Sequence, residues 1–115
     1  MYKILIAVTL LVASLNVMAS NQWYQGHVTN IITYKNDGSF EVQIDNSTIN
    51  NTCLYSRVDF LVDDMGLERT KAALSMAMAS FLTGKLFGVV VDLPSPGQIC
   101  HASPTASQGA SITSN

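Results

Sequence analysis

The sequence predicts a mainly β domain with one long helix, and three observations carry that expectation. Short segments that alternate apolar and polar residues with period two flank a single run of helical period, and Gly, Pro and Asn/Asp turn signals punctuate them. The two cysteines, Cys53 and Cys100, fall just before the third of these segments and within the last. An even cysteine count in an exported chain favours a bridge between them.

The first nineteen residues, MYKILIAVTLLVASLNVMA, set the export reading. Lys3 precedes an apolar run over residues 4–12, and Val17-Met18-Ala19 offers a cleavage site of the kind a signal peptidase reads. The run is far short of the roughly 20 apolar residues a membrane-spanning helix needs, so the reading is a cleaved signal peptide over residues 1–19 rather than an anchor. The expected destination is the periplasm or the medium of a bacterium. The remainder is long enough for one domain and too short for two. It holds five basic residues against eight acidic ones, a formal charge of −3. Without a basic patch, a nucleic-acid partner is not expected, nor is simple electrostatic attachment to anionic lipid. No membrane span is expected after the leader.

Residues 23–34 (WYQGHVTNIITY) are aromatic and β-branched, and read as one long strand with Gly26 and Asn30 as points for a bulge or bend. Lys35-Asn36-Asp37-Gly38 is a turn. Over residues 39–45, Phe40, Val42 and Ile44 then share one face while Glu41, Gln43 and Asp45 share the other, giving a hairpin with one wet side. Residues 46–52 (NSTINNT) read as an exposed polar loop with sequons at Asn46 and Asn50. Residues 54–62 form the third strand, with Val58, Phe60 and Val62 opposite Arg57 and Asp59. Asp63 and Asp64 suit the start of a helix that runs to about Thr83, with Gly84 as its C-cap and Lys85 near its negative end. Projected at helical period, Leu67, Leu74, Ala77, Met78 and Phe81 form the heavy apolar face, which is expected to pack on the sheet. Residues 86–93 (LFGVVVDL) read as a strand buried on both faces, and residues 98–102 as a short last strand holding Cys100. Residues 103–115 are small and polar, and read as a disordered tail.

Three strands, a helix and two strands is the element order of a five-stranded OB-type Greek-key barrel. The expectation is therefore a single OB-like domain over residues 20–102. Closing 47 positions by the Cys53–Cys100 bridge would restrict the unfolded chain by about 4 kcal/mol in the loop-entropy model.

Several features together resemble the exported OB-fold B subunits of bacterial AB-type toxins, especially the subtilase-cytotoxin type. They are the leader, Gly26-His27-Val28 opening the first strand, Cys53 ahead of the third strand, Lys71-Ala72-Ala73-Leu74 through Phe81-Leu82-Thr83-Gly84-Lys85 as the long helix, and Cys100 after the fourth strand. The resemblance implies a five-membered ring with the helices lining its centre, and an outer surface that binds host glycans. Past Cys100 the chain is polar where that family adds another ordered strand.

On the residues themselves, Trp23, Tyr24, Tyr34 and Tyr55, with His27 as a polar neighbour, are the side chains best suited to stack on a sugar or peptide. The small, charge-poor side of the helix, Ala72, Ala73, Met76, Ala79 and Ser80, would suit close approach of another helix in an oligomer. No cofactor motif is present. A zinc site would need Cys53, Cys100, His27 and His101 to converge without any paired-ligand spacing. Cys100 and His101 are neighbours in a strand, so they point to opposite faces and make no nucleophile–base pair. Asp59 and Asp92 could form a carboxylate pair only if their strands met. The expected function is a non-catalytic binding module for a glycan or protein surface. The competing expectation is a monomeric exported interaction protein or inhibitor of an envelope partner.

Overall fold

The structure, a computed structural model, describes residues 21–103 and 110–113. The signal-peptide reading of residues 1–19 lies outside the described residues.

The elements run β1 (Asn21–Gly26), β2 (Val28–Thr33), β3 (Phe40–Ile44), α1 (Ser47–Thr52), β4 (Cys53–Phe60), α2 (Val62–Met65), α3 (Leu67–Thr83), β5 (Leu86–Asp92), β6 (Gln98–His101) and β7 (Ala110–Thr113). The protein is mainly β with helices, as its alternating segments indicate. The strands form two sheets, ordered β1-β5-β7 and β2-β3-β4-β6, rather than five strands in one barrel, and no closed barrel is present among the described residues. Among the described residues, neighbouring strands run antiparallel except β4 and β6, which run parallel.

The departure from a barrel begins at Gly26. The expected single strand over residues 23–34 divides there, because Gly26 lies so close to the Asp45 backbone carbonyl that a Cβ would overlap it. The Asp45 N–H donates to the His27 carbonyl at 2.8 Å, fixing the corner. β1 then pairs with β5, whereas β2 pairs with β3 through a register shift between Val28 and Asn30. Both residues singled out as bend points thus sit at irregularities.

The polar stretch after β3 is a helix, not a loop. The Asn46 side chain caps it by accepting from the Ile49 N–H at 3.1 Å, and its amide donates to the Gln25 carbonyl at 2.8 Å. The apolar Ile49 is fully buried and supplies the packing that propensity alone would not. The tail expectation also fails in part: Ala110–Thr113 pairs antiparallel with β5, from Val89↔Ala110 to Leu86↔Thr113. Its alternation is short and its side chains are small, so the pairing is driven by the open edge of the central apolar β5 rather than by a strong pattern of its own.

Gly66, at φ 86°, separates α2 from α3, so the predicted helix has a break three residues in. Asp63 and Asp64 lie in the first turn of α2, where they favour the positive dipole end, but neither side chain caps it. Gly84 ends α3 as expected, left-handed at φ 74°, its N–H donating to the Ser80 carbonyl at 2.9 Å.

The orientation of α3 is the main correction. Its buried residues are Thr70, Ala73, Ala77 and Ser80, whereas Leu67, Met78 and Phe81, expected in the core, are exposed. Small side chains let the helix backbone approach the sheets closely. The hydroxyls that this buries are satisfied locally: Thr70 donates to the Gly66 carbonyl at 2.8 Å and Ser80 to the Lys85 carbonyl at 2.6 Å.

Beneath α3, the inner faces of both sheets make one core. Phe40 and Phe60 stack with centroids 4.7 Å apart, and Phe87 meets Phe60 edge-on at 6.0 Å. Val42, Ile44, Val58, Val89 and Val91 complete it. Burying each such side chain contributes roughly 1.5–3 kcal/mol. Cys53 and Cys100 are bonded, with Cα atoms 5.3 Å apart, and join β4 to β6 at the edge of this core.

Candidate functional site

Because Phe40, Val42 and Ile44 face inward, Glu41 and Gln43 must face out. On β4, Val58 and Phe60 likewise point inward, and Arg57 and Asp59 outward. The register sets Glu41 opposite Asp59, Gln43 opposite Arg57, and Asp59 beside His101 of β6. Three strands thereby place a row of Glu41, Asp59 and His101 across the outer face of the four-stranded sheet, with Gln43 and Arg57 in the next row.

Asp59 is the buried anchor of this face, only 5% exposed. Its Oδ2 accepts from the Tyr34 hydroxyl at 3.1 Å. Burial, followed by the charge and hydrogen bond of Asp59, pushes the Tyr34 phenol up to about 12. The other oxygen, Oδ1, is buried with no hydrogen-bond partner among the described residues. Burial first, then the hydrogen bond and repulsion of Asp59, raise the Glu41 carboxyl to about 7, against the opposing pull of Arg57. Arg57 Nη1 sits 3.3 Å from Glu41 Oε1.

Tyr55 covers the far side of Arg57, whose guanidinium carbon lies 5.4 Å from the ring centroid. Tyr55 and Ser56 both have φ 58°, two consecutive non-glycine residues in the left-handed region. Such conformations cost on the order of 1–3 kcal/mol each. They coincide with the register shift between Cys53 and Val58, where β4 bulges away from β6. The bulge lifts Tyr55 to 70% exposure, and its carbonyl accepts from Gln43 Nε2 at 2.9 Å. The face therefore carries two exposed tyrosines, Tyr34 and Tyr55, on either side of a linked Glu41–Asp59–Arg57 cluster. His101 lies at its margin, its Nδ1 3.9 Å from Asp64 Oδ2.

Of the five side chains expected to contact a ligand, only Tyr34 and Tyr55 meet here. Trp23 lies half-exposed on β1 in the other sheet, beside Gly88, where a Cβ would stand 3.4 Å from indole Cε3. Tyr24 packs partly against the core, and His27 sits exposed at the β1–β2 corner. Asp92 is opposite Asn21 in the three-stranded sheet, while the carboxyl paired with Asp59 is that of Glu41. Glu41, Arg57 and Gln43 were missed as site residues, although their outward alternation was visible. Joining the wet faces of the second and third predicted strands would have found them.

The residues expected to form an oligomer interface are divided. Ala73 and Ser80 are buried in the chain's own core, Met76 and Ala79 are half-buried, and Ala72 is exposed. They do not form one free surface.

Among the described residues, no group of three or more His, Cys, Asp or Glu side chains is arranged to hold a metal ion. No helix among them is long and apolar enough to cross a membrane. No protein-family model matches the chain, and no curated protein or solved structure does.

Proposed function

We propose that this chain is an exported, non-catalytic binding module that holds a glycan on the outer face of the four-stranded sheet. The observation that carries the reading is the strained Tyr55–Ser56 pair, which presents an aromatic ring to solvent over Arg57. Left-handed backbone holds the Tyr55 ring at 70% exposure with Arg57 on one face of it, and strain of this kind concentrates at ligand-contacting sites. Two tyrosine rings offer apolar faces for sugar C–H groups, while Arg57, Gln43 and Glu41 between them offer both donors and acceptors for hydroxyls. Asp59 acts from beneath, orienting Tyr34 and Glu41.

The same cluster argues against glycoside hydrolysis. Asp59 is buried beneath Tyr34 and directly opposite Glu41 on the neighbouring strand, whereas a hydrolytic pair needs two accessible carboxyls about 5 Å or more apart to admit the scissile bond. The resemblance to toxin B subunits, which bind glycans and do no chemistry, agrees with this reading. The Cys53–Cys100 bridge supports an oxidising destination.

Titration of the purified chain with a panel of neutral and acidic oligosaccharides tests the proposal. At least one should bind, and Tyr55→Ala should weaken it tenfold or more, equivalent to about 1.4 kcal/mol. Failure of the wild type to bind any member, or binding untouched by Tyr55→Ala, would overturn the glycan reading.

A further inference from the structure

On the outer face of the four-stranded sheet, Glu41 and Asp59 occupy directly opposed positions of β3 and β4. Side chains so placed have Cβ atoms about 4.5–5.5 Å apart, and like charges there repel. Neither carboxyl is well hydrated: Asp59 is 5% exposed and the Glu41 side chain 16%. The Arg57 guanidinium reaches Glu41, with Nη1 3.3 Å from Oε1, while Asp59 Oδ1 is buried without a partner among the described residues. Tyr34, which follows β2, donates to Asp59 Oδ2, with Lys35 over its ring and Asp37 in the turn behind. From β6, His101 stands beside Asp59 and faces Asp64 of α2. Two half-dry carboxyls in this arrangement favour a state that carries a single negative charge. Glu41 is the one that takes up the proton, since its carboxyl is raised to about 7 by burial and by Asp59.

We propose that the opposed Glu41 and Asp59 carboxyls are a proton switch for the ligand face: one proton on Glu41 releases Arg57 to the ligand, so the face binds with proton uptake. The inference rests on the glycan reading above. Ionised Glu41 holds the Arg57 guanidinium by charge, whereas neutral Glu41 leaves only a weaker hydrogen bond. Arg57, 5.4 Å from the centroid of the Tyr55 ring, is then free to donate to a sugar oxygen. A sugar lying over the face also strips the remaining water from Glu41, which penalises its charged form. Both effects favour the protonated pair in the complex, and by linkage the affinity rises as pH falls through neutrality. An acidic sugar meets less repulsion from the protonated pair, so the sign is the same for neutral and acidic ligands.

Carbon and nitrogen NMR of the ligand-free chain from about pH 5 to about pH 9 tests the switch independently of any sugar. The Arg57 guanidinium resonances should move together with the Glu41 carboxyl carbon, at one midpoint near neutrality. Glu41→Gln, which keeps the shape of the side chain, should abolish the Arg57 movement, and Asp59→Asn should shift its midpoint to lower pH. An imidazole titrates in the same range, so His101→Gln is the control and should leave the movement in place. Arg57 resonances that stay fixed, that still move in Glu41→Gln, that keep their midpoint in Asp59→Asn, or that stop moving in His101→Gln would overturn the proposal. Whichever oligosaccharide of the panel binds the wild type should bind about threefold or more tightly at about pH 6 than at about pH 8.5, and Glu41→Gln should remove that dependence. An affinity that is flat over this range overturns the switch and leaves the glycan reading standing. A panel of which no member binds overturns the glycan reading alone, and the Arg57 titration then decides the switch.

Discussion

The outer face of the four-stranded sheet and the exposed flank of α3 obey opposite rules. On the sheet, polar residues face out and large apolar ones face in, so Glu41, Gln43, Arg57 and Asp59 stand over Val42, Phe40, Val58 and Phe60. On α3, the small residues Ala73, Ala77 and Ser80 face in, while Met78, Phe81 and Leu82 face out. A strand's period of two leaves no choice once one face is buried. A helix can rotate, and how closely its backbone approaches the sheets then matters as much as the size of the side chains it carries. The sheet face presents polar groups held in fixed positions, and the helix flank leaves large apolar side chains exposed.

The largest effect should come from cutting the covalent link that holds β6, and with it His101, to the polar face. Replacing both Cys53 and Cys100 with alanine should lose about 4 kcal/mol, read as a lower urea midpoint. A loss near zero would mean that backbone pairing of β4 with β6 suffices.

Helix orientation is tested next. Ala77 is fully buried, so Ala77→Leu should cost about 2 kcal/mol by overpacking. Leu82→Ala should change stability by less than about 0.5 kcal/mol. The reverse order would put the large residues back in the core.

The polar face should show a pH dependence that the helix flank lacks. The folded Glu41 carboxyl titrates at about 7, above its ordinary 4.5. The folded state therefore binds a proton more tightly than the unfolded one. This contribution is fully present below about pH 4.5 and is lost as pH rises through 7. Glu41→Gln should remove that part of the slope, on the order of 2 kcal/mol after allowing for its partial exposure. An unchanged stability profile in the variant would mean that Glu41 and Asp59 share no proton.

Legibility from sequence followed the same division. The alternation of residues 39–45 gave its strand and wet side correctly, the third strand was right as far as Phe60 but Val62 opens α2 and the outward Asp59 is buried, and Gly84 marked the end of the helix. The pairing of Glu41 with Asp59 was not legible, because it depends on register between strands that sequence periodicity does not state. Gly26 was visible as a bend, but not as the point where the chain changes sheets, since that follows from its close approach to Asp45. Ile49 inside NSTINNT and the weak pattern of β7 were hidden by polar neighbours. The helix face was misread because hydrophobic weight was placed where close packing needed small volume.

A modest effect of the opposite sign is expected at Tyr55. Tyr55→Gly should relieve left-handed strain and raise stability by up to about 1 kcal/mol, while removing the ring proposed to contact a ligand. A destabilised variant would show that Tyr55 supports the fold rather than a site.

Calorimetric titration of a bound oligosaccharide into the wild type, Tyr55→Ala and Leu82→Glu tests most directly whether the two surfaces do separate work. Tyr55→Ala should lose at least tenfold in affinity, and Leu82→Glu should keep the wild-type affinity. Binding that is lost in Leu82→Glu and retained in Tyr55→Ala would place the ligand on the apolar flank of α3 and contradict the account.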